Sequence, residues 1–365
     1  MVLAVRWIAG LTALIVLIQA MLIGQSLFLA DPGKQVLHGW LGNVSYLAAI
    51  VLFVNAVKGI SALQALYPEI QFVHCNDRGA LLAGELADAD IYMGWLNREL
   101  FLAAPRLKWI QSPSSGVNYY LDVPEIVTGE VLLTSASGTH AAGVADSTVG
   151  MILAITRGLQ AAAVDQANKV WNPGAIRPKL KELTGSTVGI IGLGAIGRAF
   201  AQRIKAFDTR VIAVDLNPNA ASPHVDRVQG LDKLDDLLAE SDYVVVLVPY
   251  TAQTSNMIGA AQLAKMKPDA LLVPMSRGGI VDQNALIAAL KAGTIGGVSS
   301  DVFCPEPLPA DSELWTLPNS FIAPHIAGGT QFEGKYVLEI FTENLGRLLR
   351  NQLPLRNQVN KQAGF

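Results

Sequence analysis

The chain of 365 residues sets 27 Lys and Arg against 30 Asp and Glu, a net charge of −3, with no basic block and no acidic tail. That balance excludes a surface built for nucleic acid or another polyanion. The two cysteines, Cys75 and Cys304, are too few for a disulfide framework, and the five histidines show no metal-ligand spacing, so no metal is expected. The length suffices for two domains, each with its own core.

Mean hydropathy, +0.36, is high for a soluble enzyme, and the N-terminal part of the chain is the reason. Trp7 to Ala30 is a run of 24 residues without a charge; as a helix it would be roughly 36 Å long, enough to cross a bilayer. Arg6 flanks it and Asp31–Lys34 makes a polar break. No small-residue cleavage site follows a short apolar core, which argues against a cleaved signal peptide. A second uncharged stretch, Gln35 to Val57, has two readings. It is either the second span of a helical hairpin, with Arg6 and Lys58 both cytoplasmic, or, through Ile50–Val54, the first buried strand of the domain that follows. Residues 1–59 are thus expected to anchor the protein to the cytoplasmic face of a membrane, with a soluble cytoplasmic protein as the alternative.

From Ile60 onward, short apolar strands alternate with helical stretches, the pattern of an α/β protein with a mainly parallel sheet. Ile70–His74, Asp90–Gly94, Leu107–Gln111 and Val131–Thr134 read as strands of a first domain. Ala142 to Gly158 reads as a bridging helix. Strands then recur at Thr187–Ile191, Arg210–Val214, Tyr243–Val248, Ala270–Pro274, Gly297–Ser300 and Phe321–Ala323, and Lys335 to Leu349 is a helix expected to return to the first domain. The expected division is 60–138 with 326–365 as one domain and 139–325 as the other.

Gly192-Leu-Gly194-Ala195-Ile196-Gly197 follows the strand Thr187–Ile191 and opens a helix, the setting in which three such glycines bind a dinucleotide. Gly192 permits the tight turn, Gly194 lets backbone approach the pyrophosphate, and Gly197 lets helix and strand pack closely. The helix N-terminus offers free N–H groups to the phosphates. Asp215 ends the next strand, about twenty residues on, where a carboxylate accepts the ribose hydroxyls and repels the 2′-phosphate of NADP. No arginine follows it directly, so NAD is the expected cofactor.

Four further side chains lie at or beyond the carboxyl ends of strands, where open α/β sheets bind ligands. They are Arg277, Asp301, Glu306 and His325. Singly, each has an ordinary explanation as a turn cation or a loop residue; together behind a nucleotide turn they suit the reduction of a 2-oxo acid. The carbonyl oxygen gains negative charge and needs a proton, for which an imidazole is the natural acid. A carboxylate beside it would favour the imidazolium and fix the ring. A guanidinium holds the substrate carboxylate with a planar fork. Asp301 is placed to orient the nicotinamide carboxamide.

From Leu63 to Asn360 the chain resembles the D-2-hydroxyacid dehydrogenase family. The residues that carry the resemblance are Pro105 to Val117, Gly192 to Gly197, Ser276-Arg-Gly-Gly-Ile-Val-Asp282, Asp301-Val-Phe303, Glu306-Pro-Leu-Pro309 and Pro324-His-Ile-Ala-Gly328. The resemblance implies a doubly wound, parallel-sheet (Rossmann) NAD domain and a smaller flavodoxin-like substrate domain. It implies Arg277, Glu306 and His325 as the catalytic three, Pro249 among the cofactor contacts, and backbone N–H groups of Ser114, Ser115, Gly116 and Val117 as the seat of the substrate carboxylate. Glutamate at 306 fits the hydroxyacid enzymes better than formate dehydrogenases, which place glutamine there. Pro274 and Asp146 depart from the family pattern, which often has asparagine and glutamate at those positions.

The expected function is hydride transfer between NAD(H) and a small 2-oxo acid or D-2-hydroxy acid, such as glyoxylate, hydroxypyruvate or pyruvate, by a homodimer. An NAD-sensing dimeric interaction module, like the C-terminal binding protein corepressors that resemble the same family, is the alternative from another class. An inactive membrane-anchored fusion is the third.

Overall fold

A computed structural model of the protein describes residues 2–6, 49–51, 57–75, 81–219 and 222–364. The chain forms two compact units, Met1–Thr139 with Gln331–Phe365, and His140–Thr330.

The first unit is built on a six-stranded sheet of β1 (Val2–Arg6), β2 (Ala49–Val51), β3 (Gln71–Cys75), β4 (Ala89–Met93), β5 (Trp109–Gln111) and β6 (Leu132–Thr134), in the order β3-β1-β2-β4-β5-β6. Strands β2, β4, β5 and β6 run parallel, while β1 lies antiparallel to both β2 and β3. The strand at Val2–Arg6 was not expected from the sequence, because the uncharged run that follows it dominates the local pattern. Of the two readings of Gln35–Val57, the strand is met at Ala49–Val51; the proposed span Trp7–Ala30 lies outside the described residues. Among the described residues no single helix is long and apolar enough to cross a membrane. The helix Glu333–Leu349 packs Val337, Leu338, Phe341, Leu345 and Leu348 into the same core as Phe72, Ile91 and Trp109. Phe341 stacks on Trp109 with ring centroids 5.1 Å apart.

The second unit holds seven strands, β7 (Thr187–Ile191), β8 (Arg210–Val214), β9 (Arg227–Gln229), β10 (Tyr243–Val246), β11 (Leu271–Pro274), β12 (Gly297–Ser300) and β13 (Ser320–Ile322). They form one parallel sheet in the order β13-β12-β11-β10-β7-β8-β9. Alternate side chains of each strand face opposite ways, and the two faces are covered separately. Val244 and Val246 of β10 join a core with Leu237, Leu238, Leu286 and Leu290. Tyr243 and Val245 join another with Val144, Ile152, Phe200 and Ile204. Helices therefore cover both faces, which makes the sheet doubly wound. The chain reverses its direction of strand addition between β7 and β10, so the crevice beyond their carboxyl ends is the switch point at which such sheets bind ligands.

Candidate active site

The glycine turn leaves β7 at this switch point. Gly192 has φ +98°, and a Cβ there would lie 2.9 Å from the Val248 amide nitrogen and 3.0 Å from the Leu247 carbonyl carbon, just past β10. A Cβ on Gly197 would come 2.4 Å from the Gly192 carbonyl oxygen. The protein's own backbone thus requires the first and third glycines. Gly194 differs: it caps the helix Ala195–Lys205 in extended conformation, and its missing Cβ would meet nothing within 4 Å. That open space beside the amides that start the helix at Ala195 and Ile196 is the cradle a pyrophosphate fits. Asp215, after β8, is turned back over the cradle. Its Oδ2 accepts the Leu193 amide at 2.7 Å and its Oδ1 the Asn217 amide at 2.9 Å. Pro249, beyond β10, offers its carbonyl to the Thr254 hydroxyl at 2.7 Å. These residues fit a dinucleotide.

The loops beyond β11, β12 and β13 bring the expected catalytic side chains together. Arg277 lies beyond β11, half-buried, with Nη1 donating to the neighbouring Ser276 carbonyl at 2.7 Å. Burial lowers its pKa, and the negative charge of Glu306 opposes that effect. Glu306 is held by its own loop, since Oε1 accepts the Phe303 amide at 2.8 Å. Its Oε2 lies 2.6 Å from His325 Nδ1. An ionised carboxylate can only accept, so Nδ1–H donates and Nε2 is the ring nitrogen left to exchange a proton with a ligand. His325 and Glu306 remain accessible, with side chains 43% and 33% exposed. Asp301, by contrast, is 2% exposed. Burial raises its pKa, against the two backbone amides of Ala327 and Ile326 that it accepts.

The loop Ser114–Val117 belongs to the first unit and follows β5. The Ser114 amide donates to Ser112 Oγ at 3.0 Å and the Gly116 amide to Ser114 Oγ at 3.3 Å, so these two N–H groups, expected from the sequence to seat a carboxylate, are satisfied within the loop.

Sequence reasoning missed the contact that joins the arginine and glutamate loops. A Cβ on Gly278 would lie 1.7 Å from the Phe303 carbonyl oxygen. It missed Gln283 as well, whose Oε1 accepts the Cys304 amide at 3.2 Å. The Gly-Gly pair after Arg277 was the available signal for the first; a glutamine at a helix start carries none for the second.

The family model for the NAD-binding domain of D-isomer-specific 2-hydroxyacid dehydrogenases matches residues 149–327. A glyoxylate reductase of Thermofilum pendens is 37% identical over 272 residues, 73% of this chain and 79% of the relative. Among solved structures, a D-isomer-specific 2-hydroxyacid dehydrogenase family protein of Aeromonas salmonicida superposes with a TM-score of 0.70 at 28% identity, covering 79% of this chain and 90% of that one. A dehydrogenase of the same kind from Xanthobacter autotrophicus, solved with NADPH and MES, gives a TM-score of 0.65 at 28% identity over 73% of this chain and 82% of that one.

Proposed function

The chain belongs to the D-isomer-specific 2-hydroxyacid dehydrogenase family, and from that premise we propose that it reduces glyoxylate or a similarly small 2-oxo acid with His325, Glu306 and Arg277 as its catalytic residues. It is an NAD-dependent oxidoreductase acting on 2-oxo and 2-hydroxy acids. The observation that supports the assignment of residues is the 2.6 Å contact of His325 Nδ1 with Glu306 Oε2, which leaves Nε2 for the substrate.

When bound, NADH supplies the hydride that reaches the carbonyl carbon. The chain does the rest. Gly194 and the helix N-terminus behind it hold the pyrophosphate, Asp215 accepts the ribose hydroxyls, and Pro249 lines the crevice beyond β10. Arg277 grips the substrate carboxylate. His325 gives its Nε2 proton to the carbonyl oxygen as negative charge grows there, and Glu306 stabilises the ring throughout. In the reverse direction Nε2 takes the proton of the hydroxyl. A positioned general acid of this kind contributes about 10²–10⁴ in rate.

The decisive experiment follows NADH absorbance with glyoxylate, hydroxypyruvate and pyruvate. Oxidation that is lost in His325→Ala supports the reading. A flat trace beside clear NADH binding overturns it in favour of a nucleotide sensor or an inactive fusion.

Two further features belong to this proposal. Leu159, Val164, Val170 and Trp171 are exposed, Trp171 at 95%, and an apolar surface of this kind suits a homodimer; the native mass in solution tests it. Membrane anchoring rests on the uncharged run Trp7–Ala30, since Ala49–Val51 of the second run lies in the sheet, and fractionation of the full chain without detergent tests that.

A further inference from the structure

We propose that Asp301 is a positioning residue, which fixes the proton-carrying ring of His325 by holding the backbone of the turn that follows it. The inference rests on the functional reading above, and it assigns Asp301 a task other than contact with the nicotinamide.

His325 has φ +53°, in the left-handed region that a residue with a Cβ rarely adopts. Such a conformation persists only where the surroundings over-determine it. Here they do so on every side. The His325 amide donates back to the Ala323 carbonyl at 3.1 Å, closing a tight turn. The next two amides go to one carboxylate: Ile326 N to Asp301 Oδ1 at 2.8 Å and Ala327 N to Oδ2 at 2.9 Å.

The carbonyls of the same turn face the helix Ala141–Thr156. A Cβ on Gly143 would come 3.2 Å from the Ala327 oxygen, 3.5 Å from that of Gly329 and 3.6 Å from that of Gly328. The Ser147 hydroxyl donates to the Ala327 carbonyl at 3.4 Å. The ring of His140 packs on Gly328, where an added Cβ would lie 3.3 Å from its Cδ2. The turn after His325 is therefore clamped, the Ile326 and Ala327 amides by Asp301 and the Ala327 carbonyl by Ser147 of the helix.

A buried carboxylate is expensive, and a fold that needed only one acceptor there could use a neutral side chain. Here each amide takes its own oxygen, an arrangement that suits aspartate, whereas asparagine would set its NH2 donor against one of the two N–H groups. The chain of effect runs from Asp301 to the amides of Ile326 and Ala327, then to the backbone of His325, and so to the contact of Nδ1 with Glu306.

Asp301→Asn keeps the shape of the side chain and removes one acceptor. In the full chain with NADH and glyoxylate, kcat is expected to fall on the order of 10- to 100-fold, part of what a positioned general acid supplies. The dissociation constant of NADH, read by fluorescence, and the KM for glyoxylate are expected to hold, and the pH profile of kcat to change shape. Weakened NADH with kcat preserved would make Asp301 a cofactor ligand and overturn the inference, as would no change in either. If the variant melts before it can be assayed, Gly143→Ala decides. Its methyl presses the same turn from the helix side, so unchanged kcat there overturns the inference, and lowered kcat with retained NADH binding supports it. Wild-type protein without turnover refutes the functional reading alone. The rate at which diethyl pyrocarbonate modifies His325, read by mass spectrometry without cofactor, then tests the ring's placement: a several-fold rise in Asp301→Asn supports the clamp, and an unaltered rate sinks it.

Discussion

Glu306 bridges two partners at once, accepting the Phe303 amide through Oε1 at 2.8 Å while Oε2 lies 2.6 Å from His325 Nδ1. The carboxylate is thereby oriented by its own loop before any ligand arrives. The imidazole inherits that orientation, so on the proposed reading the proton donor is preorganised rather than assembled by substrate.

His325→Ala removes the proton donor and leaves the cofactor cradle alone. Turnover should fall about 10²–10⁴-fold, while NADH binding, measured by fluorescence titration, stays at the wild-type value. Equal losses in both would mean that the ring acts in holding the cofactor.

Gly194 and Gly197 should respond in opposite ways to the same substitution. Gly194→Val projects into open space and its backbone is extended, so the melting temperature should hold while NADH affinity drops by more than about tenfold, or 1.4 kcal/mol. Gly197→Val drives a side chain into the Gly192 carbonyl, 2.4 Å away, and should destabilise the unit by about 1–3 kcal/mol. Calorimetry with and without NADH separates the two.

If Asp215 accepts the ribose hydroxyls as proposed, Asp215→Ala should weaken NADH and shift the balance towards NADPH, because the repelling charge goes together with the acceptor. It also strips the acceptor from the buried Leu193 amide, at a cost of about 1–3 kcal/mol to the turn. Dissociation constants for both cofactors check this, and an unchanged ratio would put discrimination elsewhere.

Acid stability should depend on Asp226. Hydrogen bonds from Lys205, helped by the Val211 amide, hold its carboxyl below the usual carboxylate range. A depressed folded value means that the contribution is present above the unfolded value of about 3.9 and is lost as pH falls through the folded one. Asp226→Asn should therefore lower stability at pH 7, by less than about 1 kcal/mol because the pair is partly solvated. The gap between variant and wild type should close below about pH 4. A gap independent of pH in thermal melts would rule out the ion pair as its source.

The second unit was largely legible from sequence. β7, β8 and β12 have the expected bounds, β10 and β11 are two and one residues shorter at an end, and β13 is shifted by one. Apolar and β-branched runs mark most of these buried parallel strands, though β12, Gly297-Val-Ser-Ser300, is buried without one. β9 was missed: Arg227–Gln229 is three residues long at the sheet edge and only half-buried, so it carries no hydrophobic run. β1 was missed because Val2–Arg6 adjoins a longer apolar stretch. In the site, residue types suggested the chemistry proposed for His325, Glu306 and Arg277, and the structure brings His325 and Glu306 into contact. What holds them was hidden. The amides of Phe303, Ile326 and Ala327 belong to ordinary residues, and only the folded backbone reveals their acceptors.

The missing Cβ of Gly278 carries a lesson about how such an enzyme can change. With the Phe303 carbonyl standing where that atom would be, the arginine loop and the glutamate loop interlock and shift only as a single block. Mutational drift has no room there. New substrate preferences in this chain are therefore expected from segments outside that block, so a library aimed at altered selectivity should leave Gly278 and Phe303 fixed.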